Sequence, residues 1–491
     1  MLVGAAVAIA LAVGLGWGGE PEGDVVRFES RPDLRPPAFS VEVPANTPGS
    51  DYTFVAPWRG EGQSGPMILD GQGEIVWFHR LPPQQEAMDF RVQRYRGRPV
   101  LTWWEGFVDE DGYGHGEYVI ADRSYREIAR LRPADGRLGD FHEFTLTPRG
   151  TALITVYRPL TRDLSRIGGS EAATVLESVV QEIHVATGRA LLTWRALDHV
   201  DLAESHEEVP DGTDEAFDHF HVNSIEVDHD RNLLVSSRHT DTVYKIDRRT
   251  GAVIWRLGGQ RSDFALAPGA RFYAQHDARR QPNGDITLFD NSNPPQVRES
   301  SRALRLAVDE STMTVRLKQA VEHPLGLSSE SQGNAQARAG GDLVVGWGSE
   351  PYISRFSRTG ETQFSARFPE DTDVYRAYQF PWRGRGIGRP AISVEVVNGQ
   401  PVVYASWNGA TEVSSWQVLS GRRPGHLNPV ASSPWEGFET AIETDVRMPY
   451  YAVRALGRSG TRLATSEAVT SRSSRSPDRQ GRGEVRSDRS G

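Results

Sequence analysis

The chain has 491 residues with 49 Gly, 30 Pro, 12 Trp and no cysteine, enough for a large core rich in turns. Disulfides, thiolate metal sites and cysteine nucleophiles are excluded. Its formal net charge of -10 excludes the basic footprint of a general nucleic-acid binder but leaves room for a local basic pocket.

Residues 1–19 begin with the apolar run MLVGAAVAIALAVGLGW, and the first basic residue is Arg27. This reads as a signal peptide or a short membrane anchor lacking the usual basic start, so the protein is expected to be extracellular, or membrane-anchored and facing outside. Residues 20–51, rich in acidic residues, Pro and Gly, read as a linker with one strand-like piece, AFSVEVP. No long amphipathic helical run follows, which favours an all-β chain.

From Tyr52 a unit recurs in which short strands alternate with D-x-x-G or T-G turns. Its copies fall at 65–81 (an outer half only), 89–131, 140–197, 217–259, 274–321 and 333–368. The fourth is the clearest: HVNSIEV, NLLVSSR, TVYKIDR and AVIWRLG are parted by DHDRN, HTD and RTG, which is turn chemistry. Four strands in a period of roughly 40 to 50 residues are the signature of propeller blades. Residues 52–370 are therefore expected to form a six-bladed β-propeller. Insertions at Thr161 to Glu177 and, strongly acidic, Asp198 to Glu215 are expected as loops over one face and are candidates for a lid.

Residues 371–389, with RAYQFPWRGRGIGRP, read as a second linker. Residues 390–470 hold about six strands at a different spacing, with Trp407 and Trp416 early and the pair Tyr450 and Tyr451 opening a late strand. This predicts a small fibronectin type III-like or immunoglobulin-like β-sandwich with a tyrosine corner; a seventh blade is the competing reading. Residues 471–491, almost free of apolar side chains, are expected to be disordered.

His142, His221 and His276 each stand at the start of an inner strand, so a propeller would bring them together on its axis. Arg238 ends the second strand of the His221 unit and adds a permanent cation with a rigid fork of donors. That pairing opposes a metal cation and favours a tetrahedral oxyanion, with imidazole as a nucleophile for group transfer. Metal binding and a purely structural role remain the alternatives. Asn223 and Asn334 are candidate substrate-binding residues at inner-strand starts. Asp218, Glu143 and Asp277 are candidates to orient imidazoles, with solvated or turn positions as the alternative. His219 is open between sharing the face of His221 and turning away. Trp103 and Trp104 offer an aromatic wall or plain core packing.

The linked motifs HVNSIEVDHDRNLLVSSR, GAVIWRLGG, AQHDARRQPNGDITLFDN, GNAQ followed by GDLVVGWGS, and YASWNGATEVSSWQVLSG resemble the arylsulfotransferases, the PAPS-independent aryl-sulfate sulfotransferases, in their actinobacterial and fungal branch. The resemblance runs from about Tyr52 to Thr465. It implies a six-bladed propeller that moves a sulfuryl group from a phenolic sulfate ester to another phenol through a sulfohistidine, with no cofactor. By motif order His276 matches the sulfated nucleophile. His221 and Arg238 match the sulfate-binding and acid/base partners, and His142 the histidine of an earlier blade. The expected partners are a small-molecule aryl sulfate donor and a phenolic acceptor, with no nucleic acid and with membrane anchoring through the N-terminus. Two readings compete: a secreted non-enzymatic binding propeller and a metal-dependent propeller hydrolase.

Overall fold

The computed structural model describes residues 21–22, 24–45, 51–109, 112–210, 212, 215–293 and 295–471. The apolar start and residues 472–491, which carry the signal-peptide and tail expectations, lie outside the described residues. Within them the chain is all-β, its helical content three short 3-10 turns. No described helix is long and apolar enough to cross a membrane.

Six sheets of four or five strands succeed one another. Five are built from the consecutive segments 86–131, 140–195, 222–258, 265–322 and 334–367. The sixth joins the two ends of this region, in the order Asp373–Pro381, Asp51–Trp58, Met67–Leu69, Ile75–Phe78. The first strands of the six sheets, Glu86–Tyr95, Asp140–Leu146, Val222–Val227, His276–Arg280, Asn334–Ala337 and Asp373–Pro381, touch one another in order, and the last touches the first. They therefore enclose a common axis. Apolar residues facing from one sheet to the next form the core, as with Trp104, Tyr118, Phe144 and Ile154 between the first two.

Much of the expected second linker is a strand. Asp373–Pro381 pairs antiparallel with Asp51–Trp58 from Asp373 opposite Trp58 to Pro381 opposite Asp51. The run DVYRAYQF, buried on both faces and bulged between Val374 and Ala377, lacks period-two alternation, and the Gly- and Arg-rich stretch behind it has the composition of a linker. Pairing it with the start of the chain satisfies an edge that would otherwise expose unpaired backbone groups. The strand-like piece of the first linker, Ser40–Val43, adds itself to the outer edge of Thr362–Arg367.

Beyond Ala391 the strands pair only among themselves among the described residues, as a three-stranded and a four-stranded sheet. The two share one core of Val394, Val403, Trp416, Val418, Ile442, Tyr451 and Val453. Tyr451 Oη donates to the Val446 carbonyl at 2.8 Å and accepts from Met448 N–H at 3.0 Å, the expected corner. Seven strands stand where six were expected, because His426–Pro434, polar and half exposed, has no apolar alternation to betray it. This unit covers the edge strand Ile75–Phe78: Asn408 bonds both Phe78 N–H and Phe78 C=O, at 3.1 and 2.9 Å, and Gly409 N–H donates to Val76 at 2.8 Å.

Candidate functional site

Five of the six axial strands lose register once, between Met88 and Arg91, Asp140 and Phe144, Val222 and Ser224, His276 and Arg279, and Val374 and Ala377. A bulge of this kind breaks strict alternation and re-aims side chains. Asp277 and Asp89 within these shifts, and His221 just before the strand Val222–Val227, have φ of 56°, 51° and 51°, a region non-glycine residues rarely occupy. The axis therefore receives polar side chains at two levels.

At the level of the strand starts lie the histidines. The His142 and His221 rings are 4.8 Å apart and nearly perpendicular, and His239 is 4.7 Å beyond His221. Each of the three expected histidines is anchored through Nδ1. His142 Nδ1 meets Asp140 Oδ2 at 2.8 Å, and that carboxylate also accepts from Thr155 Oγ1 and from His142 N–H. His221 Nδ1 meets Asp218 Oδ2 at 2.5 Å. His276 Nδ1 faces two acceptors, Asn291 Oδ1 at 2.8 Å and Ala274 O at 3.1 Å. The Asn291 amide is itself fixed, its Nδ2 donating to Ser329 and Gln332 carbonyls. Acceptors at Nδ1 place the ring proton there and leave Nε2 as a lone pair. On His276 that lone pair accepts Gln332 N–H at 3.2 Å.

Burial first, and then neighbouring His142 and Arg238, hold His221 well below the usual histidine range. Burial and then Arg238 do the same to His276. Both rings are neutral at pH 7, as a nitrogen nucleophile requires. Arg238 Nη1 donates to His239 Nε2 at 2.7 Å and Nη2 to Glu330 O at 3.2 Å, while its Nε is buried with no protein partner.

Beneath the histidines sits an ionic cluster. Arg376, fully buried, donates to Asp89 at 2.9 Å and to Asn223 O at 2.6 Å. Arg279 bridges Glu143 at 2.6 Å and Asp277 at 2.8 Å, and Arg91 holds the other oxygen of Glu143 at 2.5 Å. Burial opposes ionisation of Glu143, but Arg279, Arg91 and Arg376 overcome it and hold its carboxyl far below the usual range. Below this cluster the far mouth is a cavity of about 350 Å³ lined in part by Glu226, Arg279, Gln336 and Tyr378.

The structure thus brings His142, His221, Arg238 and His276 into one neighbourhood. Asn223 lies between sheets, its Nδ2 donating to Gln275 O at 2.6 Å, with Oδ1 buried and unpartnered. Asn334 commits both amide atoms to the Ala377 backbone at 2.8 Å, which ties its strand to Asp373–Pro381. Asp218 does orient an imidazole; Glu143 and Asp277 belong to the ionic cluster instead, because the bulges turn them down the axis. His219 turns away, both ring nitrogens buried without partners, and burial pushes it down to about 4. Trp103 and Trp104 are core, not wall. Three aromatic side chains lie beside the histidines: Phe141 stacked on His142 at 4.2 Å, Tyr375 at 5.9 Å from His142, and Tyr157, stacked on Tyr113, with ring centroids 5.7 Å from His142 and 5.9 Å from His221. The acidic insertion comes in beside Arg238, His206 N–H donating to His239 O at 2.9 Å.

Sequence reading missed Asp140, Asn291, His239 and Tyr157. Asp140 sits two residues before His142 and His239 directly follows Arg238, so both were within local reach; Asn291 and Tyr157 depend on chain crossings that no local pattern carries. Asp218, His221 and His239 place ligand atoms within 4.8 Å of one another, the described grouping best suited to a metal. They do not fit a cation: the His239 Nε2 lone pair is taken by a guanidinium, and that positive charge opposes another beside it.

The Arylsulfotransferase (ASST) family profile matches residues 91–369. No curated protein matches the chain. Similar solved structures include a protein of unknown function from Bacteroides caccae, 12% identical over 67% of this chain and 98% of that one, with a TM-score of 0.41. Virginiamycin B lyase from Staphylococcus aureus is 10% identical over 83% and 100%, TM-score 0.31, and apo AztD from Citrobacter koseri 9% over 69% and 99%, TM-score 0.32. The profile match spans more than half of the 491 residues and contains His142, His221, Arg238 and His276, and the protein belongs to the arylsulfotransferase family.

Proposed function

We propose that the protein transfers a sulfuryl group from a phenolic sulfate ester to another phenol through a sulfohistidine at His276 Nε2. The observation that carries this is the shared anchoring of His142, His221 and His276 through Nδ1, which leaves Nε2 of each ring as the lone-pair nitrogen; on His276 the Gln332 N–H that Nε2 accepts must yield to sulfur. We read the six sheets as blades of a six-bladed β-propeller, residues 51–381, and the two later sheets as a β-sandwich that covers its closing blade. The closed contact cycle of the six first strands supports the first reading, and the shared core with its tyrosine corner the second.

In the first half-reaction His276 Nε2 forms a bond to sulfur, the sulfur–aryl oxygen bond breaks, and its electron pair leaves on the phenolate. Arg238 neutralises nonbridging oxygens in a partly desolvated site, where such contacts are strong. In the second half-reaction the acceptor phenol oxygen bonds sulfur, the nitrogen–sulfur bond breaks, and the phenolic proton passes to His142 Nε2. Asp140 behind His142 stabilises the imidazolium so formed, as the carboxylate of a catalytic triad does. Tyr157, against His142 and His221, would flank a bound aryl ring.

We also place the folded region outside the cytoplasm, a proposal resting on the apolar run of residues 1–17. The decisive experiment is intact-protein mass after brief exposure to an aryl sulfate, with and without His276→Ala. One added sulfuryl group that the variant lacks, together with parallel-line ping-pong kinetics, is the expected result. Full transfer by His276→Ala would overturn it. A metal-dependent hydrolase would instead lose activity to a chelator, and a binding propeller would be indifferent to His276.

A further inference from the structure

We infer that His239 is a positioning residue: it carries a hydrogen-bond relay from the Asp218 backbone carbonyl to the Arg238 guanidinium and thereby aims that guanidinium at the anion site. The inference rests on the sulfuryl-transfer reading only for the identity of the anion. A guanidinium has donors and no acceptor, so at 2.7 Å Arg238 Nη1 donates and His239 Nε2 accepts. The ring proton must then sit on Nδ1, which lies 2.5 Å from Asp218 O, an acceptor. The tautomer is fixed from both ends. Asp218 therefore orients two groups at once, His221 through its carboxylate and Arg238 through its carbonyl and His239.

The ring is well placed for this role. It is 6% exposed, stands 4.7 Å from His221, and is held from behind by His206 N–H on its own carbonyl. Burial keeps it well below the usual histidine range, so it remains an acceptor. Glu207 Oε1 lies 3.5 Å from the same Nε2 and Asp218 Oδ2 lies 4.0 Å from Nδ1, both beyond good hydrogen-bond distance. With Nη2 bound to Glu330 O, the second contact at His239 fixes the plane of the guanidinium. Nη1 and Nη2 each donate once to the protein, and the second hydrogen of each is left for an oxygen of the anion. A guanidinium set in advance loses less freedom on binding, which is how positioning raises a rate.

The test is a double-mutant cycle read in two ways: the dissociation constant of inorganic sulfate, and kcat and KM for an aryl sulfate donor. His239→Ala is expected to weaken sulfate binding and to lower kcat/KM about 10- to 100-fold, less than the roughly 10²- to 10³-fold of losing an oxyanion donor outright, because Arg238 itself remains. His239→Gln, whose amide can both donate to Asp218 and accept from Arg238, recovers most of that loss. His239→Lys, which can only donate, does not. In the Arg238→Ala background His239→Ala costs nothing further, because its partner is already gone. Equal losses in the Gln and Lys variants, or a His239→Ala loss undiminished without Arg238, would overturn the inference. If His239→Ala fails to fold, the Gln and Lys comparison still decides. Sulfate binding reads the coupling whether or not wild type transfers sulfuryl; absence of transfer in wild type counts against the proposed function alone.

Discussion

Arg376→Met should be among the most damaging single changes in this chain. The guanidinium is fully buried on the axis, 2.9 Å from Asp89, 2.6 Å from the Asn223 carbonyl, and 3.5 and 3.6 Å from Asp277 and Glu143. Asp89, Glu143 and Asp277 share Arg91, Arg279 and Arg376, with Glu226 also 3.4 Å from Arg279, so the loss of Arg376 leaves the buried cluster one positive charge short. Breaking a buried ion pair from one side costs about 3–5 kcal/mol. At about 2 °C per kcal/mol for a unit of this size, the Tm should fall by about 6–10 °C. Burial already raises the Asp89 carboxyl; without its partner that pKa rises further, so the variant binds a proton on Asp89 in the folded state. Its deficit should accordingly shrink as pH falls from 7 to 5. Pairing the change with Asp89→Asn should cost less than the sum of the two. Urea and thermal midpoints measured at both pH values provide the assay. A variant that matched wild type at pH 7 would refute the reasoning.

Because burial holds His221 and His276 neutral well below pH 6.5, kcat/KM for an aryl sulfate should stay flat between pH 8 and about 6.5; a fall centred near 6.5 in the pH profile would count against a neutral His276 nucleophile. Asp241 is pushed up to about 7 by burial, so the folded state keeps a proton that the unfolded chain loses near 4, and stability falls as pH rises through that window. Asp241→Asn should therefore be more stable than wild type at pH 8 by up to about 4 kcal/mol, with the gap closing near pH 4, as urea midpoints will read. Asn291→Ala removes the Oδ1 that holds His276 Nδ1 at 2.8 Å and should lower kcat about 10-fold while leaving sulfate affinity nearly unchanged; equal losses in both would place Asn291 in binding instead.

Much of the fold was legible because it repeats. The fourth unit, HVNSIEV to AVIWRLG, gives its four strands within a residue or two of Val222–Val227, Leu233–Ser237, Thr242–Ile246 and Val253–Gly258. The turn residues fix those boundaries locally. The closing strand was not legible: Asp373–Pro381 finds its partner more than 300 residues earlier, at Asp51–Trp58, and such a pairing leaves no signal in either segment alone. The first copy showed only its outer half in the sequence for the same reason, since its inner strand comes from the other end of the region.

The site was legible as residue types and not as directions. Alternation would send His276 and Asp277 to opposite faces of their strand, yet both are buried at the axis, 2% and 1% exposed. The register shift between His276 and Arg279, with Asp277 at φ 56°, is what reconciles the two. His142 and Glu143 follow the same rule in the second sheet, where the shift lies between Asp140 and Phe144. In these two strands a single bulge thus serves two purposes. It gives the upper level a histidine whose Nδ1 is anchored, and the lower level a carboxylate paired with arginine. The Q-H-D and F-H-E motifs are in this sense each two sites, one for chemistry and one for closure. The carboxylates that directly follow these histidines in sequence, Glu143 and Asp277, are therefore not their partners; Asp140 holds His142 and Asn291 holds His276. Glu143→Gln should consequently act on stability, as Arg376→Met does, and leave the sulfate affinity of the folded protein within about twofold of wild type, since Glu143 touches Arg91 and Arg279 and no histidine. A large loss of sulfate affinity in a variant of unchanged Tm would show that the two levels are coupled and that this division of labour is mistaken.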